Sequence, residues 1–255
     1  MAFDTTKHTM VQSDDGSFTA YSSEFEEHYH STRDGALQES LCKHVIPAFE
    51  HHKQKDELCI LDICFGLGFN TLATLHYAKQ QGLKKKLRIF SPEFDAELIA
   101  SLKSFTYPDI FTPFLPIIEA LSTKNVYEDD QLYIELYIGD AREYLRNCGE
   151  RFDIVYQDAF SPSVNPILWT KEYFHDIGRL IKDDGILTTY SMALKTRLAL
   201  YENGFNIYLN CGKGYRDATL ASKSELTGYE KVDMEHKISC NRDVRPLYDD
   251  DIVPK

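Results

Sequence analysis

The reading turns on residues 59–75, CILDICFGLGFNTLATL. An apolar run carrying one acid, Asp62, gives way to Gly66-Leu67-Gly68 and then to apolar positions at helical spacing. This is the pattern of a buried strand, a sharp turn and a helix. Glycines lack a Cβ, so the backbone can bend tightly there and approach a ligand closely. In a parallel sheet such a turn lies beyond the carboxyl ends of the strands, where ligands bind at a reversal of strand order. Taken alone, the GxG pair serves equally well for a tight connection that holds nothing.

Working outward, the alternation repeats. LRIFSPEF (87–94) reads as a strand entering a turn, and DAELIASLKSF (95–105) as a helix before Pro108. Residues 108–130 are Pro-containing and then acidic, a helix-bearing insertion. QLYIELYIG (131–139), RFDIVYQDAF (151–160) and GILTTYS (185–191) read as strands. DAREYLRNC (140–148), LWTKEYFHDIGRLI (168–181) and ALKTRLALYENG (193–204) read as helices between and after them. FNIYLNC (205–211) and DATLAS (217–222) close the series as two successive strands. Upstream, residues 11–30 suggest two short strands around Asp14-Asp15-Gly16, and residues 36–52 a helix kinked or ended at Pro47. The expected fold is therefore α/β, a Rossmann-like doubly wound sheet with an antiparallel edge hairpin and a small N-terminal hairpin and helix extension. The expected division is an extension over 1–55, a core over 56–225 with its insertion at about 108–130, and a tail over 226–255 whose structure the sequence does not indicate.

Bulk properties narrow the function. The 255 residues carry a net charge of -12, and residues 1–35 hold seven acids against two bases. That argues against broad electrostatic attraction to nucleic acid. Residues 195–245, with nine Lys and Arg against seven acids, are the one stretch suited to a polyanion. There is no apolar run near the ~20 residues that span a bilayer, and no apolar leader at the N-terminus. The six cysteines are scattered without a CxxC pair, which fits a reduced, cytoplasmic protein. His28-x-His30 and His51-His52 lack companions at ligand spacing, so no metal site is expected.

Acids mark the strand ends. Asp62 lies inside the first parallel strand, where a charge needs a partner. Glu93 ends the second strand, where a carboxylate suits a ribose diol. Asp140 follows the third, where it can accept the exocyclic amine of adenine or cap the next helix. A dinucleotide site needs a third glycine, but that position is Thr71, and Asp62 would repel a pyrophosphate. Asp62 suits instead the cationic amino group or sulfonium of S-adenosylmethionine. The expected cofactor is S-adenosylmethionine in a class I methyltransferase domain.

A second stretch, IVYQDAFSPSVNPILWTKEYF (154–174), places Asp158, Phe160 and Pro162 after the fourth strand. Oxygen acceptors there can hold target N–H groups, and a ring can pack on a target base; a loop that merely covers the sheet has the same look. With this stretch the chain resembles one family, the methyltransferase portion of the bacterial tRNA 5-methylaminomethyl-2-thiouridine biosynthesis protein MnmC and its stand-alone relatives. The matching positions are Asp15-Gly16-Ser17, Thr19, Tyr21-Ser22, Phe25, Glu27, Tyr29-His30-Ser31, Gly35-Ala36 and Glu39-Ser40, then CFGLGFN, QDAFSPSVNPILW and GKGYRDATLA. The likeness runs from about residue 12 to about residue 222.

The resemblance implies transfer of methyl from S-adenosylmethionine to the primary amine of 5-aminomethyl-(2-thio)uridine at the tRNA wobble position. It implies Asp158 as the catalytic residue. The implied cofactor contacts are Asp62, Gly66, Gly68, Asn70, Glu93, Asp140 and Ala141. The expected substrate contacts are Tyr29, Phe160 and Pro162, and Lys195, Arg197, Lys213 and Arg216, which flank the carboxyl edge of the sheet, are expected to dock the tRNA. The implied partner is the anticodon stem-loop of tRNA. The expectation is a methyltransferase without the FAD-dependent oxidase that bifunctional relatives carry, with a separate FAD-dependent or amine-forming tRNA modification enzyme supplying the amine. Two other readings remain at this point: a methyltransferase for another amine, and an inactive nucleotide-binding scaffold for a partner oxidase. The chain departs from the family at Cys64 and Ala159, which stand where it has glycine, and at Asp62, where it usually has Glu.

Overall fold

Two sheets organise the chain. The computed structural model describes residue 3, residues 7–212 and residues 214–252; Lys213 lies outside them. Strands β1 (His8–Gln12), β2 (Phe18–Ser22) and β3 (Glu27–His28) form a small antiparallel sheet. The turn between β1 and β2 is the expected one: Gly16 has φ 83°, and Asp15 Oδ1 accepts the amide of Ser17 at 2.9 Å. Strand β3 has two residues, too few to show a period in the sequence.

Helix α1 (Ala36–Glu39) passes through a wider π turn at Ser40–Val45 into α2 (Ile46–His51). Pro47 stands in the first turn of α2, so the expected kink takes the form of a π turn rather than a break. Proline has no N–H for the bond to the carbonyl four residues back, and its ring crowds that carbonyl; widening the preceding turn relieves both. One result is that Lys43 and His44 are buried.

The large sheet follows: β4 (Glu57–Ile63), α3 (Phe69–Gln80), β5 (Lys86–Glu93) and α4 (Ala96–Ser101). The insertion holds a 3-10 stretch at Asp109–Phe114, α5 (Leu115–Lys124) and β6 (Val126–Glu128). Then come β7 (Leu132–Ile138), α6 (Ala141–Asn147), β8 (Phe152–Gln157), α7 (Lys171–Leu180), β9 (Ile181–Thr189), α8 (Leu194–Glu202), β10 (Asn206–Asn210), β11 (Ala218–Ser222), β12 (Glu230–Lys231) and α9 (Met234–Cys240). The spatial order is β12-β10-β11-β9-β8-β4-β5-β7-β6. Strands β7, β5, β4, β8 and β9 pair in parallel, and β11 runs antiparallel between β9 and β10. The hairpin expected at the edge thus ends that side of the sheet, with only the short β12 beyond it.

Core packing explains why β4 reads as an unbroken apolar run. Leu58 and Ile60 join one buried cluster, and Cys59, Leu61 and Ile63 join the cluster on the other face. A parallel strand covered on both faces has no polar side to alternate with. From β4 the chain steps outward to β5 and β7, then returns to β8 on the other flank. The crevice between the carboxyl ends of β4 and β8 is the switch point at which such sheets hold ligands.

Residues 226–252 pack against this core. Lys171 donates its amide to Leu247 O at 2.8 Å, and Arg142 makes a two-pronged ion pair with Asp249 at 2.7 and 2.5 Å. Among the described residues, no helix is long and apolar enough to cross a membrane.

Candidate active site

At the carboxyl ends of the strands lies a cavity of about 810 Å³. Its wall is built by the turn after β4, the tip of β5, the start of α6, the loop after β8 and the N-terminal segment around β3.

The first half of the wall is mostly backbone. Cys64, Gly66 and Gly68 all have left-handed φ, at 64°, 54° and 76°. A Cβ on Gly66 would sit 3.1 Å from the Tyr29 ring, and one on Gly68 would sit 2.8 Å from the Phe65 ring. Cys64 keeps the left-handed path despite its side chain, a conformation that costs a non-glycine residue about 1–2 kcal/mol. The turn therefore retains its shape where a glycine was expected. Glu93 closes it: Oε2 accepts the amide of Gly66 at 2.8 Å, and Oε1 accepts the amide of Asp95 at 2.9 Å. Burial raises the Glu93 pKa, and the amide bonds oppose that rise. The next residue, Phe94, holds its ring 76% exposed on the cavity wall. Asp140 lines the same wall and caps α6, its Oδ1 accepting from Arg142 and Glu143 at 2.8 and 2.9 Å.

The second half is a cluster of buried charges. The Asp158 side chain is 7% exposed and lies beside residues from the N-terminal helices. Asn70 donates to its Oδ2 at 2.9 Å, His44 Nε2 lies 3.5 Å from its Oδ1, and His30 Nδ1 lies 4.0 Å from its Oδ2. Burial opposes the charge of Asp158, yet the two imidazoles and the Asn70 amide hold its pKa below the usual carboxylate range. Behind it, buried Lys43 donates to Asp34 at 2.8 Å and to Glu39 at 2.7 Å. Three buried atoms around Asp158 have no hydrogen-bond partner among the described residues: His30 Nδ1, His44 Nε2 and Asn70 Oδ1.

An aromatic wall adjoins this cluster. Phe160 stacks on Phe25 at 4.7 Å with 23° between the planes, and Tyr29 tilts against it at 4.9 Å. Trp169 Nε1 donates to Phe160 O at 2.7 Å, and the amide of Ser161 donates to Glu27 at 2.8 Å. The loop after β8 is thus fixed from below by the core and from above by the N-terminal sheet.

Comparison with known proteins agrees with this geometry. A family described as S-adenosyl-L-methionine-dependent methyltransferase matches residues 110–224. The MnmC bifunctional protein of Azoarcus is 31% identical over 204 residues, 74% of this chain and 31% of that protein. An uncharacterized protein of Methanocaldococcus jannaschii is 29% identical over 231 residues, 86% of this chain and 60% of its own length. The crystal structure of MNMC2 from Aquifex aeolicus superposes with a TM-score of 0.82 at 28% identity, covering 97% of this chain and 81% of that one. The chain is related to the MnmC methyltransferase domain and carries a match to an S-adenosyl-L-methionine-dependent methyltransferase family. It spans about a third of the bifunctional relative and under two thirds of the archaeal one.

The methyltransferase wall suits that cofactor chemically. A ring beside a carboxylate at the tip of β5, and further carboxylates across the cavity, accommodate a cationic nucleoside better than a pyrophosphate. Of the residues expected at the site, Tyr29, Gly66, Asn70, Glu93, Asp140, Ala141, Asp158, Phe160 and Arg216 line the cavity. Asp62 does not; it is fully buried behind Asn70 and Thr71, which donate to it at 3.4 and 2.9 Å. Burial pushes the Asp62 carboxyl up to about 7. Gly68 lies behind the Phe65 ring, Pro162 is half-buried off the wall, and Lys195 is exposed away from it. Arg216 reaches the wall with its charge engaged, 3.2 Å from Asp34 and 2.9 Å from Ser31. Arg197, expected on the docking face, is buried instead, bonded to Thr219 at 3.1 Å and to Met192 Sδ at 2.9 Å. An arginine on α8 that points into the sheet cannot meet a solvated polyanion.

Sequence reasoning missed Phe94, Glu39, Lys43 and His44 as site residues. Phe94 follows the strand-end acid directly, and an apolar residue there was the available signal. Glu39 and Lys43 stand four apart on one helix, a spacing that looks like an ordinary surface pair until burial is known.

Proposed function

We propose that this methyltransferase acts on the primary amine of 5-aminomethyl-(2-thio)uridine at the wobble position of tRNA. The observation that carries the reading is the Asp158 cluster: a buried carboxylate at the tip of β8, ringed by partnerless polar atoms and flanked by the Phe160 ring. An amine with several N–H groups satisfies such a cluster, and a pyrimidine ring suits the adjoining aromatic wall. The relatives named MnmC supply the tRNA context.

S-adenosylmethionine supplies the methyl group. The residues of this chain bind and align. Glu93 takes the ribose hydroxyls, Phe94 the adenine face and Asp140 its exocyclic amine, while the glycine turn admits the rest of the nucleoside. Asp158 is anionic at neutral pH and receives the cationic amine as a charge-assisted hydrogen bond. An unperturbed aspartate, at about 3.9, is a weak base toward an alkylamine, and Asp158 is depressed further. Its work is therefore orientation, which alone lowers a displacement barrier substantially. Phe160 packs on the extruded uracil. Arg33 and Arg216 border a second opening of about 350 Å³ beside the mouth and face the nucleic-acid backbone.

Purified protein given labelled S-adenosylmethionine is expected to label bulk tRNA from cells lacking this modification, and mass spectrometry of the nucleosides is expected to place the methyl on the aminomethyl group. Cofactor binding without label on that tRNA overturns the reading.

A further inference from the structure

The amine enters the site largely protonated, and a nitrogen attacks only with its lone pair uncovered. Asp158 can hold that cation but is a poor acceptor for its proton. A second group must take it, from within hydrogen-bonding reach of the same nitrogen.

The geometry points to His30 as the residue that accepts the substrate amine's proton. This rests on the function proposed above and assigns it a new participant. His30 lines the cavity, whereas His44, the other imidazole beside Asp158, does not. His30 is 8% exposed, and its Nδ1 has no hydrogen-bond partner. That atom lies 4.0 Å from Asp158 Oδ2. One nitrogen seated between them at about 2.8–3.0 Å contacts both acceptors at once. Asn70 Oδ1, also without a partner, is a third acceptor near the same point, since the other end of its amide donates to Asp158.

The step balances within these groups. The N–H bond of the ammonium breaks, its electron pair stays on nitrogen, and the proton passes to His30 Nδ1. A positive charge moves from the substrate to the imidazole. Glu39 is placed to meet it, with Oε2 3.8 Å from Nδ1. Lys43 and the amide of Ser31 fix that carboxylate, at 2.7 and 2.8 Å. The backbone of His30 is itself anchored, its amide donating to Thr19 Oγ1 at 3.1 Å, and Phe69 meets the ring edge-on at 5.1 Å.

The charges facing His30 come from every side. Asp158 lies after β8, Glu39 on α1, and Lys43 and His44 on the π turn. Glu27, His28, Arg33 and Arg216 border the outer opening beside it. Burial, the largest influence, lowers the His30 pKa, with Asp158 and Glu39 opposing; the ring is neutral and able to accept at physiological pH.

The test compares wild type with His30→Gln on tRNA carrying 5-aminomethyluridine. Removing a positioned base costs about 10²–10⁴-fold near neutral pH. The variant must then await amine that is already deprotonated. Its rate is expected to climb about tenfold per pH unit over roughly pH 6 to 9, while wild type stays nearly flat and the gap narrows. Nitrogen NMR of wild-type protein supplies a readout independent of turnover and of the variant's folding. A stem-loop with 5-aminomethyluridine is expected to move the His30 Nδ1 resonance, and the same stem-loop with plain uridine is expected to leave it in place. A deficit in His30→Gln that is the same at every pH, or an Nδ1 resonance that ignores the amine, overturns the assignment while leaving the proposed function standing. Wild-type protein that binds S-adenosylmethionine yet never methylates this nucleoside overturns both.

Discussion

The two halves of the cavity use opposite means. The half around β4 and β5 is shaped mostly by backbone: a glycine turn whose amide is tied to Glu93, a carboxylate that keeps lone pairs for a ligand. The half around Asp158 is unfinished, with three buried polar atoms lacking partners beside fully paired Lys43. Leaving such atoms unsatisfied costs about 1–3 kcal/mol each, and of the three residues His30 and Asn70 line the cavity, where a bound group can return it. The contrast teaches that shape selects the nucleoside in one half, while polar need selects the amine in the other.

The sharpest way to break this comparison is Asp158→Ala. Methyl transfer is expected to fall by about 10²–10³-fold, the scale of removing one preorganised polar group from a reaction centre. S-adenosylmethionine affinity by calorimetry is expected to stay within a few fold. Equal loss of both would merge the two halves into one. Next comes Lys43→Met, which removes the buried cation between Glu39 and Asp34 and leaves Asp34 with Arg216 alone as its cation. Breaking a buried pair from one side costs about 3–5 kcal/mol, and urea unfolding reads it directly. A shift under about 1 kcal/mol would make the charge cluster solvated rather than structural.

Asp62 offers a pH-resolved version. Its folded pKa of about 7 stands above the unfolded value near 3.9. The native state therefore binds more protons between those limits, and the stability this group contributes is full below about 4 and lost as pH rises through 7. Asp62→Asn is expected to remove that loss, so the stability difference between variant and wild type should shift toward the variant by a few kcal/mol across this window. A difference that does not vary with pH would mean Asp62 ionises freely. Phe94→Ala is expected to weaken S-adenosylmethionine binding by about 1–3 kcal/mol, the scale of one base stacked on an aromatic ring, with the maximal rate little changed. Smallest is Cys64→Gly. It relieves the left-handed backbone and forfeits side-chain packing, so thermal unfolding should show a net change below about 1 kcal/mol.

The first half was far more legible in the sequence than the second. The glycine turn, Glu93 and Asp140 follow from strand-helix alternation, because such a sheet delivers consecutive strand ends to one edge. Asp158 could be located the same way. Its companions could not. His44 reaches it from the π turn before Pro47, with Lys43 and Glu39 paired behind, and helical periodicity carries no trace of that widening. Arg197 shows the reverse failure: charge counting put it on a basic face, but its place on α8 turns it toward Thr219 and the sheet.

The thiol of Cys64 sits on the cavity wall among Glu93, Asp158, Asp62 and Asp140. Burial, and then those carboxylates, push it well above the ordinary thiol range. Alkylating agents and peroxides attack the thiolate, which is scarce here. Cysteine-directed reagents are thus expected to modify exposed Cys211 and Cys240 first and to spare the turn. A residue that elsewhere invites oxidative inactivation is held chemically quiet by burial and by acids that include the proposed ligand-binding Glu93, Asp140 and Asp158.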